Sequence, residues 1–309
     1  MEQKTKQEIL SVEELSVSFS MYQKGLRKGN LEVLHKLSLS VRAGEILAVA
    51  GSSGSGKSIL AHAILGILPG NACMDGRMLY KGQPLTEKEK KGLRGREIAF
   101  IPQSVDYLDP LMRVGKQVRG VRGTKERQRE LFRKYGLEEG VERKYPFMLS
   151  GGMARRVLIA SALMEDACLI VADEPTPGLS ERLAEETLKS FREMADAGCA
   201  VLLITHDIDL AFKAADRIAV FYAGTVVEIA PAEDFRKGKE ALRHPYSRAF
   251  LEALPQNEFC PLPGFQPYAA KLPKGCLFAE RCRERNEMCM GEIPMRKVRG
   301  GEVRCVHAR

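Results

Sequence analysis

No apolar run in this sequence approaches the eighteen or so residues that a membrane-spanning helix needs. A stretch such as Cys199-Ala200-Val201-Leu202-Leu203-Ile204 is only strand length. The opening residues, Met1-Glu2-Gln3-Lys4-Thr5-Lys6, lead into no apolar region of the signal-peptide kind, so the chain is expected to stay in the cytoplasm. Internal repeats, low-complexity tracts and heptad insertions are lacking, as are nucleic-acid-binding motifs and tight C-x₂-C pairs. Eight cysteines without an export signal argue against a disulfide framework. What is present is ordinary for a globular protein: 309 residues, 44% hydrophobic and 28% charged, enough for one large α/β domain plus an appendage.

The pattern of elements supports that reading. Residues 9 to 50 read as strands, with Leu37, Leu39 and Val41 alternating at period two and Ile46 to Ala50 forming a continuous apolar strand. A helix is expected from Lys57, closing at Pro69-Gly70, and a strand at 98–101. Residues 111–165 read as mostly helical, and the first half of this stretch is strongly basic. Then come strand 168–172, helix 180–197, strand 200–204, helix 207–215 and strand 217–222. Such alternation implies a mainly parallel sheet covered on both faces. It stops around Pro231, and residues 240–309, richer in Pro, Gly, Cys and charge, are expected to form an appendage.

Gly51-Ser52-Ser53-Gly54-Ser55-Gly56-Lys57-Ser58 fits G-x-x-x-x-G-K-[ST] and lies between a strand and a helix, the setting that gives the motif its meaning. The glycines let backbone N–H groups turn inward around phosphates, and the helix N-terminus adds positive potential. Lys57 should reach the β- and γ-phosphates, and the Ser58 hydroxyl should take a position on Mg²⁺. Asp173 ends an apolar run, where a carboxylate is well placed to hold Mg²⁺ through its water shell. Glu174 follows it. Strand alternation turns neighbouring side chains apart, so both can serve one site only at a strand end. Upstream, Leu149-Ser150-Gly151-Gly152-Met153 opens a helix with a hydroxyl and two glycines that cost helix stability, a pattern suited to donating to phosphate oxygens.

These three elements, in this order, resemble the ATP-binding subunit of an ABC transporter. The resemblance implies a P-loop NTPase fold of ABC type: a mixed sheet core, an antiparallel β subdomain and an α-helical subdomain at about 111–165. It implies that Glu174 polarises the attacking water. It also makes Gln103 the glutamine that senses the γ-phosphate side, contributes at Mg²⁺ and touches the membrane subunit, and His206 the switch histidine. Phe19 matches the aromatic that stacks on adenine, with Tyr22 as a rival. Ser150, Gly151 and Gly152 would complete the nucleotide site of a partner subunit in a head-to-tail dimer. Two departures stand out: Met153 occupies a position that is usually Gln, and Ser180 replaces the D-loop aspartate. Both bear on communication with the partner, so a heterodimer is expected over a homodimer. The net charge of +8 then reads as a basic surface facing ATP phosphates and an anionic inner leaflet, with no nucleic acid as partner.

The tail narrows the resemblance. His244-Pro245-Tyr246-Ser247-Arg248-Ala249-Phe250-Leu251, Leu262-Pro263-Gly264 and Gly275-Cys276-Leu277-Phe278-Ala279-Glu280-Arg281-Cys282 resemble the C-terminal extension of oligopeptide, dipeptide and nickel importer ATPases. The chain would then comprise a nucleotide-binding domain, 1–239, and an extension, 240–309. It would sit on the cytoplasmic face of the membrane with two permease subunits and an extracytoplasmic receptor. The alternative is a soluble ABC-type ATPase not coupled to transport. Cys282 and Cys289 are seven apart, so a helix would place both on one face. With Cys276 and Cys305 they leave three readings open: a [4Fe–4S] cluster, which the subfamily resemblance suggests, zinc, or free thiols. Cys73, Cys168, Cys199 and Cys260 read as ordinary buried residues.

Overall fold

The computed structural model describes residues 6–24, 27–52, 54–254, 257 and 259–308. Strands β1 (Glu8–Lys24) and β2 (Arg27–Arg42) lead to β3 (Glu45–Gly51) and helix α1 (Lys57–Leu65). Next come β4 (Ala72–Tyr80), β5 (Gln83–Pro84), α2 (Glu87–Leu93) and β6 (Ile98–Ile101). A helical region holds α3 (Val114–Arg119), α4 (Lys125–Lys134) and α5 (Gly151–Ala162). The chain then alternates through β7 (Leu169–Asp173), α6 (Glu181–Asp196), β8 (Ala200–Thr205), α7 (Ile208–Ala214), β9 (Arg217–Tyr222) and β10 (Thr225–Pro231). Helices α8 (Ala232–Arg236) and α9 (Pro245–Glu252) and strands β11 (Arg296–Val298) and β12 (Gly301–Val303) follow.

Two sheets result. One is antiparallel, in the order β2-β1-β4-β5; the other runs β11-β12-β10-β9-β3-β8-β7-β6. In the larger sheet β3 pairs in parallel with both β8 and β9, and β7 with both β6 and β8, while β9, β10, β12 and β11 pair antiparallel. Period-two alternation divides its side chains between two apolar layers. Ile46, Ala48 and Ala50 of β3 face the layer that includes Val157, Phe191 and Ala211 from α5, α6 and α7. Leu47 and Val49 face the layer that includes Leu60 and Ile64 of α1 and the inner residues of the antiparallel sheet. β3 is buried along its whole length, which is why it reads as a continuous apolar run.

The region after 240 is tied to this core by an ionic knot. Arg243, with a side chain only 1% exposed, contacts Glu228 of β10 (3.3 Å) and Asp234 of α8 (2.7 Å) and donates to the Val298 carbonyl (2.7 Å). The Glu228 carboxylate also accepts from the backbone N–H groups of Arg243 (2.9 Å) and His244 (2.8 Å).

Several expectations change. Helix α1 ends at Leu65, not near Pro69, because Gly66 adopts φ 63° and its N–H caps the Ala63 carbonyl at 3.2 Å. Strand β4 gave no sequence signal because Cys73 to Arg77 are all exposed, so no alternation appears. Cys282 and Cys289 do not share a helix. Separate 3₁₀ turns cover Ala279–Arg281 and Glu287–Met290, and the Asn286 side chain starts the second by accepting from Met288 N–H (3.1 Å). Cys73 and Cys260 are exposed and Cys168 is half-buried; of these four, Cys199 alone is buried.

Candidate nucleotide site

The glycine loop leaves the buried end of β3 and enters α1 through Gly56, whose φ of 103° is strained for any other residue. At the start of the loop a side chain on Gly51 would meet the Phe221 carbonyl at 2.5 Å, so the loop can pass β9 only as glycine. Ser53 lies outside the described residues. Lys57 is nearly buried, and its Nζ donates to the carbonyls of Gly51 (2.8 Å) and Ser52 (2.9 Å). Ser55 Oγ donates to the same Ser52 carbonyl at 2.8 Å. Burial lowers the Lys57 pKa, while the nearby Glu174 and Asp173 carboxylates oppose the shift. The ammonium therefore rests on backbone oxygens within reach of two carboxylates.

Asp173 is buried at the end of β7, its Oδ1 without a hydrogen-bond partner among the described residues. Burial raises its pKa; a hydrogen bond with the Ser58 side chain works against the rise. A buried, half-satisfied carboxylate beside the Ser58 hydroxyl fits a hard cation with oxygen ligands. Glu174 takes φ 48°, rare for a residue with a side chain, and its N–H is held by the Ile204 carbonyl at 2.9 Å. That turn ends the strand alternation and lets Glu174 join the cleft next to Asp173.

A cleft of 610 Å³ is lined by Gly54, Gly56, Lys57, Ser58, Gln103, Glu174 and His206, together with Val33 and Ile59. His206 follows β8, and its Nδ1 lies 2.7 Å from Glu174 Oε2. An ionised Glu174 can only accept, so with it the pairing puts the proton on Nδ1. A neutral His206 would then present Nε2 as an acceptor, so donating to a phosphate through Nε2 requires imidazolium or a change of tautomer.

Phe19 and the signature residues lie elsewhere. Phe19 packs half-buried against the second apolar layer and does not line the cleft, whereas Tyr22 is 63% exposed. Ser150 caps α5, its Oγ accepting from Met153 N–H at 3.3 Å, and neither it nor Gly151 and Gly152 lines this cleft. Arg155, which the sequence reading missed, joins the two regions. Buried on α5, it donates to the carbonyls of Pro102 (2.6 Å) and Gln103 (2.5 Å). The one available signal was an arginine on the inward face of a helix, three residues after Gly152.

Of the four C-terminal cysteines, Cys289 and Cys305 are buried and Cys276 and Cys282 half-buried. Burial raises the thiol pKa of Cys276, Cys282 and Cys305, that of Cys276 to about 11. Cys289 Sγ lies 3.5 Å from His307 Nε2. Among the described residues, however, no group of three or more His, Cys, Asp or Glu side chains is arranged to hold a metal ion. The arrangement as it stands does not fit a cluster.

Comparison with known proteins agrees with this geometry. The family model described as "ABC transporter" matches residues 34–177, and that described as "Oligopeptide/dipeptide transporter, C-terminal region" matches residues 227–289. The dipeptide transport ATP-binding protein DppD of Escherichia coli (strain K12) is 36% identical, the match covering 93% of this chain and 92% of that protein. DppD of Bacillus subtilis (strain 168) is 33% identical over 95% and 92%. The oligopeptide transport ATP-binding protein OppD of Escherichia coli (strain K12) is 32% identical over 96% and 92%. Among solved structures, a dimeric post-hydrolysis state of the ATP-binding cassette MJ0796 bound to ADP and Pi superposes with a TM-score of 0.62 at 26% identity. It covers 72% of this chain and 98% of that one.

Proposed function

We propose, from the premise that this chain belongs to the ATP-binding subunits of ABC transporters of the oligopeptide and dipeptide type, that its ATPase cycle drives peptide uptake. One observation carries the reading. Lys57, Ser58, Gln103, Glu174 and His206, drawn from four separate places in the chain, line one cleft. Peptide cargo is supported by the names of the relatives, which are dipeptide and oligopeptide transport proteins. Nickel has no such support among them.

In this reading Gly51, Ser52, Ser53, Gly54, Ser55 and Gly56 wrap the phosphates, and Lys57 leaves its two carbonyls for the β- and γ-phosphates. Ser58, Gln103 and Asp173 would hold Mg²⁺, which neutralises charge on the phosphate oxygens when bound. Glu174 orients a water for in-line attack on the γ-phosphate and takes its proton. His206 exchanges Glu174 for the γ-phosphate, and Lys57 with a partner's signature residues stabilises the spread charge. Ser150, Gly151 and Gly152 would serve the partner's site, in keeping with their place outside this chain's cleft. Tyr22, the more exposed ring, is a better candidate than Phe19 for stacking on adenine.

Ser180 in the D-loop motivates a heterodimer with unequal sites. We place the boundary between nucleotide-binding unit and extension at 239/240. Exposed Tyr107, Leu111, Val121, Phe147 and Met148 lie in and beside the helical region of the chain and suit the membrane subunits of a peripheral, cytoplasmic-face assembly. No helix among the described residues is long and apolar enough to cross a membrane. A [4Fe–4S] cluster on Cys276, Cys282, Cys289 and Cys305 has only the subfamily resemblance behind it. Iron, sulfide and zinc analysis of the native chain and Cys282→Ser decides between cluster, zinc and thiols.

The test of the main reading is Mg²⁺-dependent ATP hydrolysis by the chain assembled with its permeases, coupled to peptide uptake in vesicles. Hydrolysis without any peptide dependence would favour the soluble ATPase alternative.

A further inference from the structure

Ser52 stands at the entrance of the nucleotide loop, and its carbonyl is the resting place of both Lys57 Nζ and Ser55 Oγ. Its hydroxyl points to a distant part of the chain, donating to Gln266 Oε1 at 3.1 Å across 214 residues. Tyr246, almost fully buried on α9, lies beside Ser52: burial raises its phenol pKa and the Ser52 side chain works against the rise. Gln266 belongs to the strap 262–266 of the extension, which turns at Gly264 (φ 74°). The strap is itself pinned. Arg281 donates through Nε to the Pro263 carbonyl (2.9 Å) and through a terminal nitrogen to that of Leu262 (3.2 Å). Its other terminal nitrogen reaches the Tyr222 hydroxyl at 3.3 Å, at the end of the strand whose Phe221 carbonyl crowds Gly51. The Tyr222 and Tyr246 rings meet at 4.4 Å, with Phe278 within 5.4 Å of both, so the base of the strap is an aromatic platform.

We propose that Gln266 is a positioning residue for the nucleotide loop: held by Arg281, the strap fixes Ser52 so that the loop stays shaped to accept phosphates. The physical argument is preorganisation. A short glycine-rich loop has many conformations to lose when it closes around a ligand. A side-chain hydrogen bond at its entrance, anchored to a packed platform, removes part of that loss before the nucleotide arrives. The anchor comes from the extension, so residues remote in sequence set the affinity of the loop. The proposal rests on the reading of this loop as an ATP site and adds to it a determinant outside the loop, the helix and the acidic pair.

The test uses the full chain in the Glu174→Gln background, so that bound ATP persists. Affinity for Mg²⁺·ATP is measured for that parent, for Gln266→Leu, for Ser52→Ala and for the double variant. Loss of one neutral hydrogen bond predicts weakening of roughly two- to tenfold for each single variant. Because both substitutions remove the same bond, the double variant should bind no more weakly than the poorer single one. In the assembled, hydrolysing complex Gln266→Leu should raise KM for ATP by a similar factor while kcat stays within about twofold. Unchanged affinity in the single variants, effects that multiply in the double, or a fall in kcat at constant KM would overturn the proposal. A parent that binds no ATP would remove the nucleotide reading and this proposal together, whereas a binding parent with indifferent variants removes the strap alone.

Discussion

Replacing Arg243 with Met tests how firmly the extension is bonded to the nucleotide-binding core. The guanidinium sits against two carboxylates and also donates to carbonyl oxygens on the β11–β12 hairpin. Met fills a similar volume, so the cavity term is small and the cost is electrostatic. Glu228, fully buried, would keep only the N–H groups of Arg243's successor and His244 to balance its charge. Breaking a buried pair by removing one partner costs about 3–5 kcal/mol. Asp234, partly exposed, is resolvated and adds little. At roughly 2 °C per kcal/mol for a chain of this size, the melting temperature should fall by about 6–10 °C. Urea unfolding gives the free energy, and the double variant Arg243→Met/Glu228→Gln supplies the decisive comparison. If the uncompensated charge is the cause, the double variant regains more than half of the loss. A single-variant loss below about 1 kcal/mol, or a double variant no better than the single, would refute the reasoning.

Four shorter predictions follow from the site and its surroundings. Glu174→Gln should retain ATP binding and abolish turnover; turnover at the native rate would reject Glu174 as the base. Asp173→Asn should leave the fold intact but lose Mg²⁺-dependent hydrolysis, read by comparing nucleotide affinity with and without the metal. Burial depresses the His244 pKa to about 3, and its Nδ1 already accepts from Tyr246 N–H at 3.0 Å. Its unfolded form binds a proton below about 6.5, so stability is lost as pH falls from there, by up to about 1.4 kcal/mol per unit. His244→Asn keeps an acceptor at the helix cap, so its stability should fall less steeply than that of the native chain between pH 6.5 and 5; parallel slopes would count against this. A thiol reagent at neutral pH should label exposed Cys73 and Cys260 well before Cys199, whose thiol burial pushes up to about 12. Mass spectrometry of partially labelled protein gives the order.

Local chemistry made much of the site legible. The glycine loop can be read because its function is written in consecutive residues, and Asp173 because a buried strand must end somewhere polar. What the sequence concealed lies in contacts between distant segments. Arg155 meets the Gln103 backbone across 52 residues and Gln266 meets Ser52 across 214, and nothing in either neighbourhood marks the partner. The Glu174–His206 bond was similarly hidden, although both residues line the cleft. Cys282 and Cys289 misled because a seven-residue spacing has meaning only within a helix. Asn286 between them begins a new turn, so the periodicity had no helix to act on. Which face of β1 Phe19 occupies depends on bulges along that strand that no sequence pattern announced.

The way the large sheet terminates has a consequence for the chain's solubility. β10 is apolar and buried, and it is covered by β12 through the pairs Glu228–Val303 and Ile229–Glu302. Beyond β12 lies the three-residue β11, whose exposed Arg296 and Lys297 make the outer rim short and cationic. If the last hairpin were deleted, β10 would offer a row of unpaired N–H and C=O groups on an apolar ribbon, a ready template for another molecule. A chain cut at residue 239 should therefore self-associate with rising concentration even where its nucleotide loop is intact. The hairpin thus acts as a guard on the open border of the sheet.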